Sequence, residues 1–151
     1  ELLQEVAEIR EKHRTEDEHF LYEQHGEKVQ LVVYNQGDEP IENASISLVL
    51  PNHNSFYVAS RLPMLPQEDR GIDRGPAERA SYPAVTLKAD SIHISRAPGE
   101  LASDAPVQVF ETPLRLCAGL ALKGRKLGIR YAVAGSNLRK PAKGKLRLIF
   151  R

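Results

Sequence analysis

Apolar residues recur at every second position over much of this chain, the period of a strand with one buried face. Val29, Leu31 and Val33 form one such run, and Ala44, Ile46, Leu48 and Leu50 form another. Between them, Asn35-Gln36-Gly37-Asp38 supplies residues that tolerate a positive φ, and Pro40 blocks any helix across the link. Residues 29–51 therefore predict two strands joined by a polar turn. A short strand over 56–59 follows the turn-rich Pro51-Asn52-His53-Asn54-Ser55. Further apolar pairs stand at Val85 and Leu87, Ile92 and Ile94, and Val107 and Val109, with residues 96–106 reading as a polar link. The longest alternation, Leu114, Leu116, Ala118, Leu120 and Leu122, predicts one long strand. After the turn Gly124-Arg125-Lys126, a strand through Leu127, Ile129, Tyr131 and Val133 is expected, and Leu146, Leu148 and Phe150 close the chain as another.

Roughly eight short strands separated by Gly, Pro and Asn links describe a sandwich. The expected fold is mainly β, an immunoglobulin-like antiparallel β-sandwich with an N-terminal α-helix. Its domains would be a helical connector over 1–26 and a sandwich over 27–151. Val29, Leu31, Val33, Ile46, Leu48, Leu116, Leu120, Ile129, Tyr131 and Leu148 are expected in the core.

Residues 1–25 break the two-residue period. Leu2, Val6, Ile9 and His13 fall at i, i+4, i+7 and i+11, one stripe of a helix. Thr15 followed by Glu18 matches a capping box, which would start a second helical turn carrying Phe20 and Leu21, and Gly26 ends the helical stretch. So thin a stripe suits a helix packed on a domain edge or extending away as a connector. If it packs, the stripe supplies most of the holding energy, because exposed ion pairs contribute only about 0–1 kcal/mol each. Residues 60–83, with Pro63, Pro66, Pro76 and Pro83, form a long irregular segment, and loops of that length are usually functional.

At 151 residues the chain suits one domain with a real core, and its 41% hydrophobic and 27% charged residues are those of an ordinary globular protein. No apolar run approaches the roughly 18 residues needed to span a membrane. The chain opens on Glu1 and runs at once into the helix, which reads as a piece excised from a longer protein. One cysteine, Cys117, excludes an internal disulfide framework and reads as a small buried hydrophobe, and a sandwich without disulfides best fits the cytoplasm. Periplasmic and extracellular settings stay open, and the glycosylation triplet Asn43-Ala44-Ser45 carries no weight.

The net charge of +1 hides a segregation. Residues 105–151 hold eleven Lys or Arg against one acid, Glu111, whereas residues 1–25 hold eight acids against three bases. Arg125 and Lys126 share one turn, Arg139, Lys140, Lys143 and Lys145 another, and Arg130 and Arg147 adjoin them on strands. If both turns lie at one end of the sandwich, these eight could engage backbone phosphates or another anionic partner. The plainer reading is that they solubilise loops and guard edges, or pair with the acids of residues 1–25.

Enzymatic chemistry finds little footing. His13, His19 and His25 are spaced by six, which turns each about 240° from the last on a helix, so they share no face for a metal. His53 and His93 stand alone, one in a loop and one on a strand's outer face. There is no Gly-x-Ser-x-Gly elbow, and Cys117 lacks an activating neighbour. Arg70-Gly71-Ile72-Asp73-Arg74-Gly75 lacks the Gly-Lys-Ser/Thr ending of a phosphate loop, and the carboxylates Glu16-Asp17-Glu18 and Glu68-Asp69 sit in charge-rich surface segments.

The run Val33-Tyr34-Asn35-Gln36-Gly37-Asp38-Glu39-Pro40 followed by Ile41-Glu42-Asn43-Ala44-Ser45-Ile46-Ser47-Leu48 is similar to the opening hairpin of immunoglobulin-like modules, of the fibronectin-III-like and cell-adhesion-related (CARDB-like) kinds. It departs from true immunoglobulin domains in having no tryptophan and no cysteine pair, and the 60–83 segment exceeds their usual loops. The charged helix, with Tyr131-Ala132-Val133-Ala134-Gly135-Ser136-Asn137 and Gly144-Lys145-Leu146 near the other end, resembles domains that follow Schlafen-type AlbA regulator domains. These resemblances imply an accessory module of a larger protein. The expected function is thus non-catalytic protein interaction or scaffolding, without a cofactor. Its partner would be another protein or an upstream domain of the same chain. The alternative is a nucleic-acid accessory domain using the basic C-terminal residues.

Overall fold

The structure, a computed structural model, describes residues 1–63 and 79–151. The sequence readings on Pro66, Pro76, Glu68-Asp69 and Arg70–Gly75, and most of the 60–83 segment, lie outside the described residues. The chain starts with helix α1 (Leu2–His19), which passes into a π-helical turn (Phe20–Gln24). The strands are β1 (Glu27–Val29), β2 (Val32–Tyr34), β3 (Ile41–Pro51), β4 (Phe56–Val58), β5 (Ala84–Leu87), β6 (Ser91–Leu101), β7 (Pro106–Gln108), β8 (Leu114–Ala118), β9 (Lys126–Ala134) and β10 (Ala142–Ile149). They form sheets ordered β10-β9-β3-β6-β5, β1-β8-β4 and β2-β7, and every pairing is antiparallel. The protein is mainly β, with one N-terminal helix.

Alternation decides what is buried. Ile46, Leu48 and Leu50 of β3, Ile92 and Ile94 of β6 and Val133 of β9 turn to one side of the five-stranded sheet and are almost fully covered. Phe56 and Val58 of β4 and Leu114 and Leu116 of β8 belong to the same buried cluster, so two sheets share one core. Each such side chain contributes about 1.5–3 kcal/mol by leaving water. Val29, Leu31, Val33, Ile129, Tyr131 and Leu148 pack half-buried around it.

Four local expectations fail, each for a physical reason. The runs in residues 29–51 are strands but not a hairpin: β2 pairs with β7, whereas β3 pairs with β6 and β9. The six-residue link is long enough to change sheets. Asn35 shapes it by accepting the Gly37 N–H and donating to the carbonyls of Glu39 and Leu101. At the β1–β2 break, Gln30 replaces the ladder, its amide donating to the Phe110 carbonyl and accepting the Phe110 N–H.

The long strand predicted over 114–122 stops at Ala118, and residues Leu120–Leu122 form a 3₁₀ turn. At three residues per turn, positions i and i+2 no longer share a face. Leu122 is therefore buried while Leu120, expected in the core, is 90% exposed. Cys117 is half-buried rather than enclosed.

Residues 96–101, read as a link, extend β6 along β3. Register shifts beside Ala44 absorb the irregularity, with Asn43 and Gly99 both at positive φ. Pro98 is tolerated there because β5 pairs only up to Ser95.

Finally, Thr15 caps nothing. The helix continues through it, and its hydroxyl donates to the Glu11 carbonyl one turn back. Gly26 follows the π turn because space, not φ, demands it: a Cβ would lie 2.6 Å from the Tyr22 carbonyl oxygen and 2.8 Å from that of Leu116.

Candidate anionic-partner surface

The eight basic residues come to the surface along one hairpin. β9 and β10 pair in unbroken register, with Lys145 directly opposite Arg130, Arg147 opposite Gly128, and Lys143 opposite Ala132. Directly paired residues share a face, and the inward positions of β9 are Leu127, Ile129, Tyr131 and Val133. Lys126, Arg130, Lys143, Lys145 and Arg147 therefore stand together on the outer face of the five-stranded sheet. All eight basic residues are exposed, and none takes part in an ion pair among the described residues.

The two turns do not lie at one end. Arg125 precedes β9 and Arg139 and Lys140 follow it, so they are separated by the length of the strand, about 27 Å. The arrangement is a stripe along an edge hairpin instead of a basic end cap. Lysines on an edge strand also discourage pairing with another sheet, a role β10 fills by position.

Beside the stripe the outer face is paved with small side chains. Ser47 and Val49 of β3 lie opposite Ala132 and Arg130 on one side and opposite Ser95 and His93 on the other. A shallow groove of about 430 Å³ opens here, lined by Val49, Pro51, Ser91 and Gly128, with Arg130, Lys145 and Asp90 at its rim. This floor was missed in the sequence, although the small residues at alternate positions (Ser45, Ser47; Gly128, Ala132, Ala134) are its signal. The cross-strand neighbours Tyr131 and Gly144 face the other way, with the phenol ring lying where a Cβ of residue 144 would be.

The acids of the N-terminal region go elsewhere. Arg61 bonds Glu18 at 3.3 Å and Glu11 at 3.4 Å. Glu23 pairs with Arg115 at 2.9 Å, both side chains buried, and with Lys28 at 3.6 Å. Among the described residues, Arg115 is the one base of the C-terminal third that they take up. The LRLCA alternation puts Arg115 outward on β8, but the π turn folds over it. Its backbone N–H donates to the Tyr82 hydroxyl, which in turn donates to the Ala59 carbonyl. Burial raises the phenols of Tyr22 and Tyr82 from 10.0 to about 12.

The helical stripe faces solvent. Leu2 is 72%, Ile9 55% and Val6 36% exposed, whereas Thr15 on the opposite side is 7% exposed. α1 thus approaches its own domain through a polar face, and the expectation that Leu2, Val6 and Ile9 hold it in place is overturned.

Chemistry elsewhere is sparse. Cys117 lines a cleft of about 440 Å³ with Val29, Leu148 and Phe150. Burial pushes its thiol up, which keeps the weakly nucleophilic protonated form at neutral pH. His53 sits in a loop and accepts the Ser55 N–H, while His93 stands on the outer face within 3.0 Å of the Ser91 hydroxyl. Among the described residues no group of three His, Cys, Asp or Glu is placed to hold a metal, and no helix is long and apolar enough to cross a membrane.

No family model matches the chain, and no curated protein is similar to it. Among solved structures it is similar to a protein described by the words "AvmM Catalyzes Macrocyclization in Alchivemycin A Biosynthesis". The two share 15% identity over 82% of this chain and 81% of that one, with a TM-score of 0.30. A likeness so slight bears on neither fold nor activity.

Proposed function

We propose that this chain is a non-catalytic protein-interaction module whose basic outer sheet face receives an acidic protein surface. One observation carries the reading. Arg130 and Lys145 are directly opposed across β9 and β10, both exposed, with no carboxylate paired to either among the described residues. Like charges so placed repel by a few tenths to about 1 kcal/mol. An acidic partner relieves that repulsion, and the groove beside them gives it a floor to rest on. The immunoglobulin-like sandwich is the architecture we assign to the module, supported by antiparallel sheets that share one core. An upstream domain of the same chain or a separate protein can supply the acids, and the compartment we assign is the cytoplasm.

Nucleic acid is the second reading, favoured by the same unpaired cations. Against it, the outward positions of β9 and β10 carry no aromatic residue on which bases would stack. Titrating a fluorescein-labelled acidic helical peptide and a labelled oligonucleotide of equal charge, with anisotropy as readout, separates the two. The peptide should bind more tightly, and Arg130→Glu with Lys145→Glu should weaken it about tenfold or more. Tighter binding of the oligonucleotide would sink the reading.

A further inference from the structure

The molecule carries two surfaces of opposite character, and no ion pair joins them among the described residues. α1 is held near Arg61, which follows β4, and shares a cleft with Leu87 of β5. The basic stripe lies on β9 and β10, at the other edge of the five-stranded sheet. Four strand spacings separate β5 from β10, about 19 Å. α1 thus borders the β5 edge of the sheet, and the basic stripe lies at its β10 edge.

The exposed side of α1 has the composition of a docking face. At 100° per residue, Leu2, Val6, Ile9 and His13 cluster within about 60° of arc. Glu5, Glu16 and Asp17 flank that arc within about 70° of its centre, with Arg10 the one base as near. Glu11, Thr15 and Glu18 point towards the domain side, where Glu11 and Glu18 meet Arg61. His13 and Asp17 border the cleft shared with Val58 and Leu87, so the fully outward part of the arc is Leu2, Glu5, Val6 and Ile9. An amphipathic helix that turns its polar side inward and its apolar stripe outward is arranged to cover something else.

Resting on the reading of the basic face given above, we infer that its occupant is α1 of a second copy of this chain. Leu2, Val6 and Ile9 would lie over the floor of Val49, Gly128 and Ala132, whose small side chains let a helix approach closely. The flanking carboxylates would reach Arg130, Lys143, Lys145 and Arg147. Nucleic acid would satisfy the cations alone and leave the apolar stripe in water. A second copy satisfies cations, carboxylates and stripe at once.

Sedimentation velocity of the chain at about 0.05 M and about 0.5 M salt tests this, since screening shortens the reach of exposed charges. The expected result is self-association at low salt, weakened about tenfold or more at high salt. Arg130→Glu with Lys145→Glu should be monomeric, as should Glu5→Lys with Glu16→Lys and Asp17→Lys. Mixing the two variants should restore a complex, because each then offers the charge the other lacks. That rescue also shows that both variants are folded.

A monomeric parent chain at low salt overturns the inference. So does a dimer that survives the sheet substitutions, which would mean that two α1 helices pair with each other. Failure of the mixture to associate overturns it as well. If the parent chain is monomeric yet still binds the acidic peptide, the inference falls while the interaction-module reading stands. If it binds only the oligonucleotide, both fall.

Discussion

Strand β3 and helix α1 are both amphipathic, and the fold uses that property in opposite directions. On β3 the apolar row Ala44, Ile46, Leu48 and Leu50 is buried and the intervening Ser45 and Ser47 are exposed. On α1 the apolar row is exposed, and the domain is met by Glu11, Glu18 and, beyond the helix, the buried ion pair of Glu23 with Arg115. The first arrangement is stabilised by leaving water. The second meets the domain by ion pairs and by Tyr22 of the π turn, and leaves the row of Leu2, Val6 and Ile9 in water. An apolar row in the sequence does not by itself say that the rest of the same domain will cover it.

The sharpest test of that contrast is the anchor itself. Removing one side of a buried ion pair costs about 3–5 kcal/mol, and here the lower end applies because Glu23 keeps Lys28 at 3.6 Å. Arg115→Ala should destabilise the fold by that order in urea denaturation, and replacing both partners together, Arg115→Met with Glu23→Leu, should cost less. Equal losses from the single and double variants would mean the pair is a spectator. Next in size is the core row. Ile46→Ala should cost about 2–5 kcal/mol, as large-to-small changes in buried sites do. Should Val6→Ala cost as much, the distinction between the two amphipathic elements would disappear.

How much of this could be read in advance follows from the same physics. The period-two runs of β3, β6 and β9 were legible because one face of each meets the core, and alternation is a local property of the chain. Pairing was not legible. Nothing in residues 29–51 tells a hairpin from a crossover, since Val29, Leu31 and Val33 would bury equally well in either sheet. Leu120 was misjudged because a 3₁₀ turn changes the meaning of two-residue spacing. The eight basic residues of the candidate face were visible by composition. Their common outer face depends on the β9–β10 register, and the burial of Arg115 depends on a turn 92 residues earlier in the chain.

A smaller effect ties the anchor to pH. In the folded chain the phenols of Tyr22 and Tyr82 stay protonated up to about 12, whereas unfolded tyrosine ionises at 10.0. The folded state therefore binds more protons between those values. Stability contributed by these groups is fully present below pH 10 and is lost as the pH rises towards 12. Tyr82→Phe should flatten part of that decline. It should also cost about 1–3 kcal/mol at neutral pH, because the Arg115 N–H and the Ala59 carbonyl lose a buried partner. A decline of unchanged steepness in Tyr82→Phe and in Tyr22→Phe would place its origin elsewhere.

The smallest expected effect is the most telling for α1. Leu2→Ser, Val6→Ser and Ile9→Ser combined should shift the unfolding free energy by no more than about 0.5 kcal/mol per site, the range of surface substitutions. The measurement belongs at low protein concentration and high salt, where association of copies does not contribute. Salt alone should change little, because the contacts of Arg61 with Glu11 and Glu18 are partly exposed and such pairs are worth about 0–1 kcal/mol. A loss approaching that of Ile46→Ala would mean the stripe is buried in the free chain, and α1 would then be part of the core. Near-neutrality in the free chain, together with lost association at low salt, would instead assign the stripe to a contact between copies.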